Sequence, residues 1–462
     1  MNSMPFSALL ARWVSDASRR WSPEAVAQAE RAVADTVACM IAGAGDAAVS
    51  RVRQGLGGWG SGGRSTVIGR SDGLDAPWAA LVNGTAAHAL DYDDVLDPAA
   101  SHVSAVLVPA LLALGEEVGA SGAELVDAYI VGVEVQECLA EGLNMDHYTR
   151  GWHTTLTLGA PAAAAACARL LRLDAASSLA ALSLATSHAA GFKRQFGTNA
   201  KPLHAGLAAK HGIVCARMAA AGLTADPAPF EGERGFLALL AGPGAAGFEG
   251  VLDRLTRQPA VVAPGVWLKR YPCCASTHRA VDGLLDLMDE ERLGAGDIAS
   301  VQTEVSEAAV RNLMYDRPAN EMQARFSMPY CIAAAALDGD LRLDTFGHTS
   351  LGRADIAAFM PRVRMHTDPA QPADMPSTTK SWATTKVATR DGRTFERRVV
   401  DPRGYPDRPL SEADLARKFA DCARGQPAEV AAGFAAWRHI DTCKHLDALY
   451  AGLRTLNLER PG

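Results

Sequence analysis

The sequence predicts a mainly α-helical protein, in which a large all-helical domain carries an inserted, smaller α+β lid domain. Two observations lead to this prediction. Helical patterns with capping residues fill most of residues 22–241 and return after Ser411, whereas alternating, strand-like segments occur only between them. We therefore assign residues 1–265 plus 401–462 to the helical domain and residues 266–400 to the lid. A cleft between two such domains is the expected place for a ligand.

The first long helix has well-defined ends. Ser22 is a good N-cap, Pro23 suits the first turn, and Gly43 favours termination near residue 42. Extended structure is expected at 66–68, after a Gly-rich loop. Further helices are predicted at about 77–90, 104–118, 123–141, 154–171, 175–190, 202–221 and 234–241. The Ala-rich runs 162–166 and 180–189 lack a strongly polar face, so we expect them inside the bundle.

The character of the chain changes near Pro264. An Asp391-Gly392 pair predicts the two-residue turn of a hairpin over 382–400. The remaining predicted strands cover 266–271, 301–305 and 363–366, and the predicted helices cover 276–288 and 327–337. The spacing of Ser411 and Asp414 predicts a capped helix that starts the C-terminal helical segment.

Composition excludes several classes of protein. The 462 residues carry 45 Lys and Arg against 52 Asp and Glu, a formal net charge of −7. A protein with this acidic net charge lacks the basic surface that nucleic-acid binding usually requires, so no nucleic-acid partner is expected. The nine cysteines form no C-x-x-C pair, which is typical of reduced thiols, and no apolar stretch approaches membrane-span length. We expect a cytoplasmic protein without a membrane partner.

Four carboxylates crowd into seven residues at Asp91, Asp93, Asp94 and Asp97. Their mutual repulsion requires compensation by water at a helix end, a metal, a cationic substrate, or nearby Lys and His. The last three also match the D-D-x-x-D motif with which terpenoid synthases hold Mg²⁺. No second acidic segment completes such an ion cage, and no clustered His or Cys spacing or phosphate-binding loop occurs. We therefore predict no metal and no cofactor.

Histidines and lysines at predicted helix starts are the other candidates for chemistry. His102 and His153 suit general acid–base catalysis, although either could simply satisfy a helix end. Lys201 opens a helix, where its charge and the free N–H groups favour an anion. Lys269 and Arg270 stand where the α+β segment begins, as cleft residues or as a solvated strand end. A Cys274–His278 nucleophile pair is the minor alternative to simple packing.

Five ordered motifs resemble the MmgE/PrpD family over roughly residues 5–420. They are Asn83–Asp94 (NGTAAHALDYDD), Gly151-Trp152-His153, Lys201–Gly206 (KPLHAG), Lys269–Cys273 (KRYPC) with Thr277-His278, and Ala324–Ser327 (ARFS). The resemblance implies a helical domain with an α+β lid, cofactor-free catalysis, a homodimer, and a small substrate with two or three carboxylates.

The resemblance also implies site residues. Asp91, His102, His153, Lys201 and Lys269 match the catalytic set of the family, and we take Tyr92, Tyr148, Arg270 and Tyr315 as candidate substrate-binding residues. The two lysines would hold carboxylates and stabilise an enolate, and the histidines would move protons. Asp91 would orient a histidine.

This sequence departs from the family wording at three places. Val95 stands where a Thr is frequent, Val103 follows His102 where a Pro is frequent, and Thr154 follows His153 where a Pro is frequent. We predict a lyase that removes a proton next to a carboxylate and expels water or carbon dioxide. The alternatives are an isomerase that uses the same carbanion, with Tyr148 as its second base, and a non-catalytic binding protein.

Overall fold

The computed structural model describes residues 4–97, 99–143, 145–242, 247–372, 380–423 and 427–454. Helices dominate these residues, as the sequence predicts, and the strands β2–β5 form one small mixed sheet. The elements up to residue 241 are α1 Phe6–Ser15, α2 Pro23–Gly43, α3 Ala47–Leu56, β1 Ser61–Ser65, α4 Ala76–His88, α5 Ser104–Val118, α6 Gly122–Leu143, α7 Asp146–Thr149, α8 Thr154–Thr157, α9 Gly159–Leu170, α10 Ala175–Thr186, α11 Ala200–Ala220 and α12 Phe236–Ala241.

The second part of the chain mixes helices and strands before it ends in helices. Its elements are α13 Ala275–Glu290, β2 Ile298–Val305, α14 Glu307–Asn312, α15 Glu321–Ala324, α16 Met328–Asp338, α17 His348–Leu351, α18 Ala354–Phe359, β3 Val363–Thr367, β4 Ala383–Thr389, β5 Thr394–Val399, α19 Glu412–Ala423, α20 Pro427–Trp437 and α21 Asp447–Arg454. Short 3-10 helices cover Lys193–Gln195, Val251–Thr256, Leu343–Phe346, Met360–Arg362 and Ile440–Thr442, and a π-helical turn covers Val261–Gly265.

The sheet has the order β3-β2-β4-β5. Strand β2 pairs in parallel with β3 and antiparallel with β4, and β4 and β5 form the predicted hairpin. Val301 of β2 lies between Val363 and Val387 of its two neighbours, and all three are buried. One face of the sheet therefore packs against α13 and α16.

Two hydrophobic cores organise the molecule. The first joins the helices before residue 242 to α19–α21, and the second joins the sheet to α13 and α16, with Phe196 as a contribution from the helical part. That the second unit is an inserted lid stays a prediction.

Helices α4 and α11 cross at a contact that only glycine permits. A Cβ atom on Gly84 would lie 2.8 Å from the Cα of Gly206, and one on Gly206 would lie 2.2 Å from the carbonyl oxygen of Leu81. Because the helix backbones touch here, the C-terminal end of α4 and the first turn of α11 come close together. This crossing places Lys201 beside the acidic segment that follows α4.

Three predicted elements differ in the structure. The sequence predicts extended structure at 66–68, but the strand β1 covers Ser61–Ser65 instead. The predicted helix 154–171 is broken between α8 and α9. The predicted strand 266–271 is wrong, since only Trp267 forms a bridge, to Val95, with backbone N–O distances of 2.8 and 2.9 Å. This segment runs beside the loop after α4, where no strand is available to extend the pairing.

No single helix in the described part of the chain has the length and apolar composition needed to cross a membrane. The consecutive helices α2 and α3 reach that length only when they are joined across an 80° bend.

Candidate active site

A cavity of about 170 Å³ lies where the two hydrophobic cores meet. Both parts of the chain line it. The helical part contributes Asp91, Val95, Asp97, His102, Tyr148, His153, Phe196 and Lys201, and the α+β part contributes Trp267, Cys274, Ser276, Arg279, Asn312, Phe326 and Trp382, among others. The cavity suits a small metabolite, since sites for drug-sized ligands are larger.

Asp91 is the centre of the charged end of this cavity. It follows α4 in a left-handed backbone conformation (φ 53°), which is uncommon for non-glycine residues and is adopted most readily by Asn, Asp and His. Its Oδ1 atom lies 2.5 Å from Nζ of Lys201 and 3.3 Å from Nζ of Lys269. Lys269 also donates a 2.9 Å hydrogen bond to the Asp91 carbonyl oxygen. One carboxylate therefore holds two ammonium groups together, against their mutual repulsion.

The charges of this cluster support one another. Burial by itself would raise the pKa of Asp91, but the ammonium groups of Lys201 and Lys269 outweigh it and hold that pKa far below its usual range. Burial would likewise lower the pKa of Lys269, and the Asp91 and Asp93 carboxylates raise it instead. The Oδ2 atom of Asp91 is buried without a hydrogen bond within the described residues, so it is available to a ligand.

His102 and His88 share a second carboxylate, Asp93. The Oδ2 atom of Asp93 lies 2.8 Å from Nδ1 of His88 and 3.1 Å from Nδ1 of His102. Both imidazoles hold the pKa of Asp93 low despite its burial, so this oxygen accepts a hydrogen bond from the Nδ1–H of His88. Nδ1 of His102 is an electrostatic contact of the same oxygen and forms no hydrogen bond within the described residues. Nε2 of His102, its other ring nitrogen, lies 4.0 Å from Asp91 Oδ1.

The other face of His88 completes the charge cluster. Its Nε2 accepts a 3.0 Å hydrogen bond from Nζ of Lys201. Burial lowers the pKa of His88 to about 3 and also lowers that of His102, although Asp93 opposes both shifts. Both rings are therefore neutral at neutral pH, and His102, which lines the cavity, presents an unprotonated nitrogen.

His153 lies on the same wall and pairs with His204 of α11. Their Nδ1 atoms are 2.8 Å apart, so one ring donates and the other accepts. The backbone N–H of His153 donates to the carbonyl oxygen of Gly191 at 3.1 Å. Burial, with His204 and Lys201 nearby, holds the pKa of His153 well below its ordinary value. A neutral imidazole again faces the cavity.

Four of these side chains also have the composition of a metal site. His88, Asp91, Asp93 and His102 place one ligand atom each within 4.8 Å of one another. However, Lys201 already donates to two of the four and Lys269 contacts Asp91, so two fixed cations stand beside these ligands. Repulsion between a divalent cation and these ammonium groups disfavours metal binding in this arrangement.

Tyr148, which the helical part contributes, faces neutral polar groups of the α+β part. Nδ2 of Asn312 donates to the Tyr148 hydroxyl at 3.1 Å and lies 3.3 Å from the Ser276 hydroxyl. The Lys193 ammonium lies 3.7 Å from the centre of the Tyr148 ring. Burial raises the pKa of Tyr148 above its usual value. Tyr148 can therefore donate a proton or a hydrogen bond more readily than it can act as a base.

Three of the predicted substrate-binding residues do not line the cavity. The Tyr92 hydroxyl lies 3.4 Å from the Arg270 carbonyl oxygen, and Arg270 forms a 3.0 Å ion pair with Asp340 in a separate depression. Tyr315 lies behind the wall, where its hydroxyl donates to the carbonyl oxygen of Phe196 at 3.2 Å. Phe196 itself does line the cavity. Of the four predicted residues, the structure brings only Tyr148 to it.

The structure does not support the alternative interpretations of the D-D-x-x-D motif and of the Cys274–His278 pair. Asp94 accepts hydrogen bonds from Ser104, away from Asp93, and Asp97 contacts Arg279, so the D-D-x-x-D motif does not converge on one ion. His278 Nε2 contacts the Cys273 carbonyl oxygen. Burial raises the pKa of the Cys274 thiol to about 11, which disfavours a nucleophilic thiolate.

Comparison with known proteins gives a consistent result. A model described as the MmgE/PrpD N-terminal domain matches residues 8–249, and one described as the MmgE/PrpD C-terminal domain matches residues 271–435. The chain is similar to a cis-aconitate decarboxylase of Homo sapiens, with 32% identity over 372 residues, 77% of this chain and 74% of that protein. The cis-aconitate decarboxylase of Mus musculus is 29% identical over 412 residues, 85% of this chain and 81% of that protein. One from Aspergillus terreus is 24% identical over 385 residues, 78% of this chain and 77% of that protein. With both family models matched across most of its length, the chain belongs to the MmgE/PrpD family.

Proposed function

We propose that this protein is a lyase that acts on a small di- or tricarboxylate through a carbanion next to a carboxylate, with loss of carbon dioxide or water. Of the two reactions we favour decarboxylation, because the curated relatives described above are cis-aconitate decarboxylases. The observation that carries the proposal is the cluster at the charged end of the cavity. There two lysine ammonium groups share the Asp91 carboxylate beside the His102 imidazole.

The cluster supplies what a carbanion intermediate needs. When electrons flow from a breaking bond towards a carboxylate, negative charge accumulates on the carboxylate oxygens. Lys201 lines the cavity and can donate an N–H to those oxygens, and Lys269 reinforces the positive field from beneath. Donors that are fixed before the reaction are worth more than donors in water, because they need no reorganisation.

The histidines transfer the proton to or from the reacting carbon. In decarboxylation the C–C bond to the departing carboxylate breaks, CO₂ leaves, and the electron pair delocalises onto a remaining carboxylate. The carbon then takes a proton from an imidazolium. The free site is charge-balanced, so an anionic substrate raises the pKa of His102 and binding takes up that proton. In dehydration a neutral imidazole first removes the proton next to the carboxylate, and the leaving hydroxyl then takes a proton from the resulting imidazolium and departs as water.

One observation favours the isomerase alternative. Tyr148 lines the cavity together with His102 and His153, but its hydroxyl contacts Asn312 and not the charged cluster. Re-protonation from a second face would invert the carbon. The raised pKa of Tyr148 suits a proton donor in this role, but inversion in both directions requires Tyr148 also to act as a base.

The reaction class is tested with the intact protein in deuterium oxide. We would incubate it separately with cis-aconitate, 2-methylcitrate and iminodisuccinate and follow each by proton NMR. A decarboxylase releases CO₂ and places one deuterium on the product carbon. Exchange with inversion and no loss of mass would contradict the lyase proposal in favour of an isomerase. No reaction and no binding with any of the three acids would contradict the proposed function altogether.

The helical-domain-and-lid organisation, the homodimer and the cytoplasmic location stay predictions. The first two agree with the family resemblance, and all three can be tested without substrate by limited proteolysis, sedimentation and localisation of the tagged chain.

A further inference from the structure

Arg279 is a buried cation that lines the cavity but has no part in the chemistry described above. It lies in the second turn of α13 and is 7% exposed. A buried guanidinium is costly unless its donors are paired. The groups that surround the Arg279 guanidinium therefore indicate its role.

The guanidinium is fixed, yet its pairing is weak. Nε donates to the Val400 carbonyl oxygen at 2.8 Å, and the guanidinium carbon lies 5.3 and 5.7 Å from the ring centres of Trp267 and Tyr405. Nη2 reaches Asp97 Oδ2 only at 3.4 Å, and that carboxylate is one-third exposed and also accepts from the Tyr405 hydroxyl at 3.1 Å. Within the described residues, no hydrogen bond is formed by Nη1. A guanidinium whose Nη1 has no hydrogen bond among the described residues, and whose ion pair is long, can bind a ligand carboxylate that lies closer to it.

The contacts of Arg279 connect it to the lysine end of the cavity. Trp267, against which it packs, precedes Lys269 by two residues and is hydrogen-bonded to Val95 through both backbone groups. Val95 in turn follows Asp91 by four residues, and Val95 and Trp267 both line the cavity. An apolar stretch thus separates two cationic places, the Lys201–Lys269 pair and Arg279.

We infer that Arg279 forms a second carboxylate subsite, which binds a carboxylate remote from the reacting carbon and selects acids that carry this additional group. The inference rests on the proposed function, since it takes the Lys201 end as the place of the reaction. The ligand class is an acid with a carboxylate on each terminal carbon of a three-carbon chain, and the apolar stretch at Val95 and Trp267 contacts that chain.

The test uses a matched pair of ligands and needs no turnover. Propane-1,2,3-tricarboxylate and propane-1,2-dicarboxylate differ by one carboxylate, and calorimetry gives their Kd values for the wild type and for Arg279→Gln. We expect the wild type to bind the tricarboxylate more tightly by about 10- to 100-fold, a range set by the about 1.5–3 kcal/mol of a charge-assisted hydrogen bond. Arg279→Gln should bind both acids with nearly equal Kd.

Three further variants make the result unambiguous. Arg279→Lys keeps the charge without the fork and should retain only part of the preference, and it serves in place of Arg279→Gln if that variant does not fold. Asp97→Asn removes the competing carboxylate and should tighten tricarboxylate binding. Arg397→Gln, whose arginine pairs with Glu290 at the other end of α13, should leave the ratio of the Kd values unchanged.

The outcomes separate this inference from the proposed function. If the wild type prefers the tricarboxylate and Arg279→Gln keeps that preference, the Arg279 subsite is wrong and the lyase proposal stands. If the wild type binds neither acid while the fold is intact, the proposed substrate class fails, and this inference fails with it.

Discussion

The two walls of the cavity are built in different ways. On the helical wall, Asp91, His102, His153 and Lys201 are all buried or nearly so, and each lies within a few ångströms of another ionisable group. On the α+β wall, Ser276 and Asn312 are neutral, and Arg279 has one long ion pair. The first arrangement fixes charges and proton positions before a substrate enters. The second offers hydrogen bonds and a cation that a substrate can take up.

This difference separates reactivity from selectivity. Changes in the helical wall should act on kcat, because the groups there meet charge that develops only in the transition state. Changes in the opposite wall should act mainly on KM and on the choice of acid.

Removal of Lys201 should have the largest effect. Lys201→Met retains much of the volume but deletes the N–H donor that faces the cavity, and we expect kcat to fall by about 10³-fold or more. Loss of this ammonium also leaves Asp91 with Lys269 as its main cationic partner. Steady-state kinetics on the substrate that the NMR panel identifies, with circular dichroism as a check of folding, measures the effect.

Lys210→Met is the matched control. Lys210 lies on the same helix, but its ammonium is 5.0 Å from the Trp78 ring centre and outside the lining of the cavity. Its replacement should change kcat by less than about twofold. Near-wild-type turnover in Lys201→Met would remove this lysine from the chemistry.

Asp93 should have the next largest effect, through His102. Asp93→Asn preserves a side-chain oxygen that can accept from Nδ1 of His88, but it removes the negative charge that raises the pKa of His102 against burial. The pKa of His102 then falls further. We expect kcat/KM to drop by about 10²-fold, and the limb of its pH profile that reports His102 to move to lower pH.

Asp94→Asn is the control for that shift. Asp94 is equally buried, and burial raises its pKa to about 7, but its carboxylate bonds to Ser104 and, among the residues that the structure describes, to no histidine. Its replacement should leave the pH profile in place. An unshifted profile in Asp93→Asn would show that His102 is not the titrating group.

The sequence predicts more of the helical wall than of the other. The helix patterns and ordered motifs place Asp91, His102, His153 and Lys201 correctly near helix ends, and the crossing at Gly84 and Gly206 brings those ends together. The roles of His88 and Asp93 are missed, because the left-handed turn at Asp91 reverses the chain between them. Periodicity does not show such a turn.

The sequence pattern indicates Arg270 as a substrate-binding residue and does not indicate Arg279, and both errors have the same physical cause. Both lie in or near a segment that the sequence predicts as a strand and a helix, but an isolated bridge to Val95 replaces the strand. The alternation of side chains that a strand would impose is therefore absent. Which cation faces the cavity depends on the packing of α13 against Trp267, and neighbouring residues in the sequence do not encode that contact.

Replacement of Tyr148 should have the smallest effect if the protein is a lyase, but it best distinguishes a lyase from an isomerase. Tyr148→Phe removes only the hydroxyl that Asn312 holds at 3.1 Å, and the Lys193 ammonium can still contact the ring. If the chemistry belongs to the helical wall, kcat should fall by less than about tenfold, with a comparable rise in KM, because one hydrogen bond is lost. If the enzyme inverts a carbon, Tyr148→Phe should abolish inversion while His102 still exchanges the substrate proton with deuterium. Proton NMR of the variant in deuterium oxide distinguishes the two, since exchange without inversion would assign a catalytic role to Tyr148, outside the charged cluster, and would contradict the separation of reactivity from selectivity.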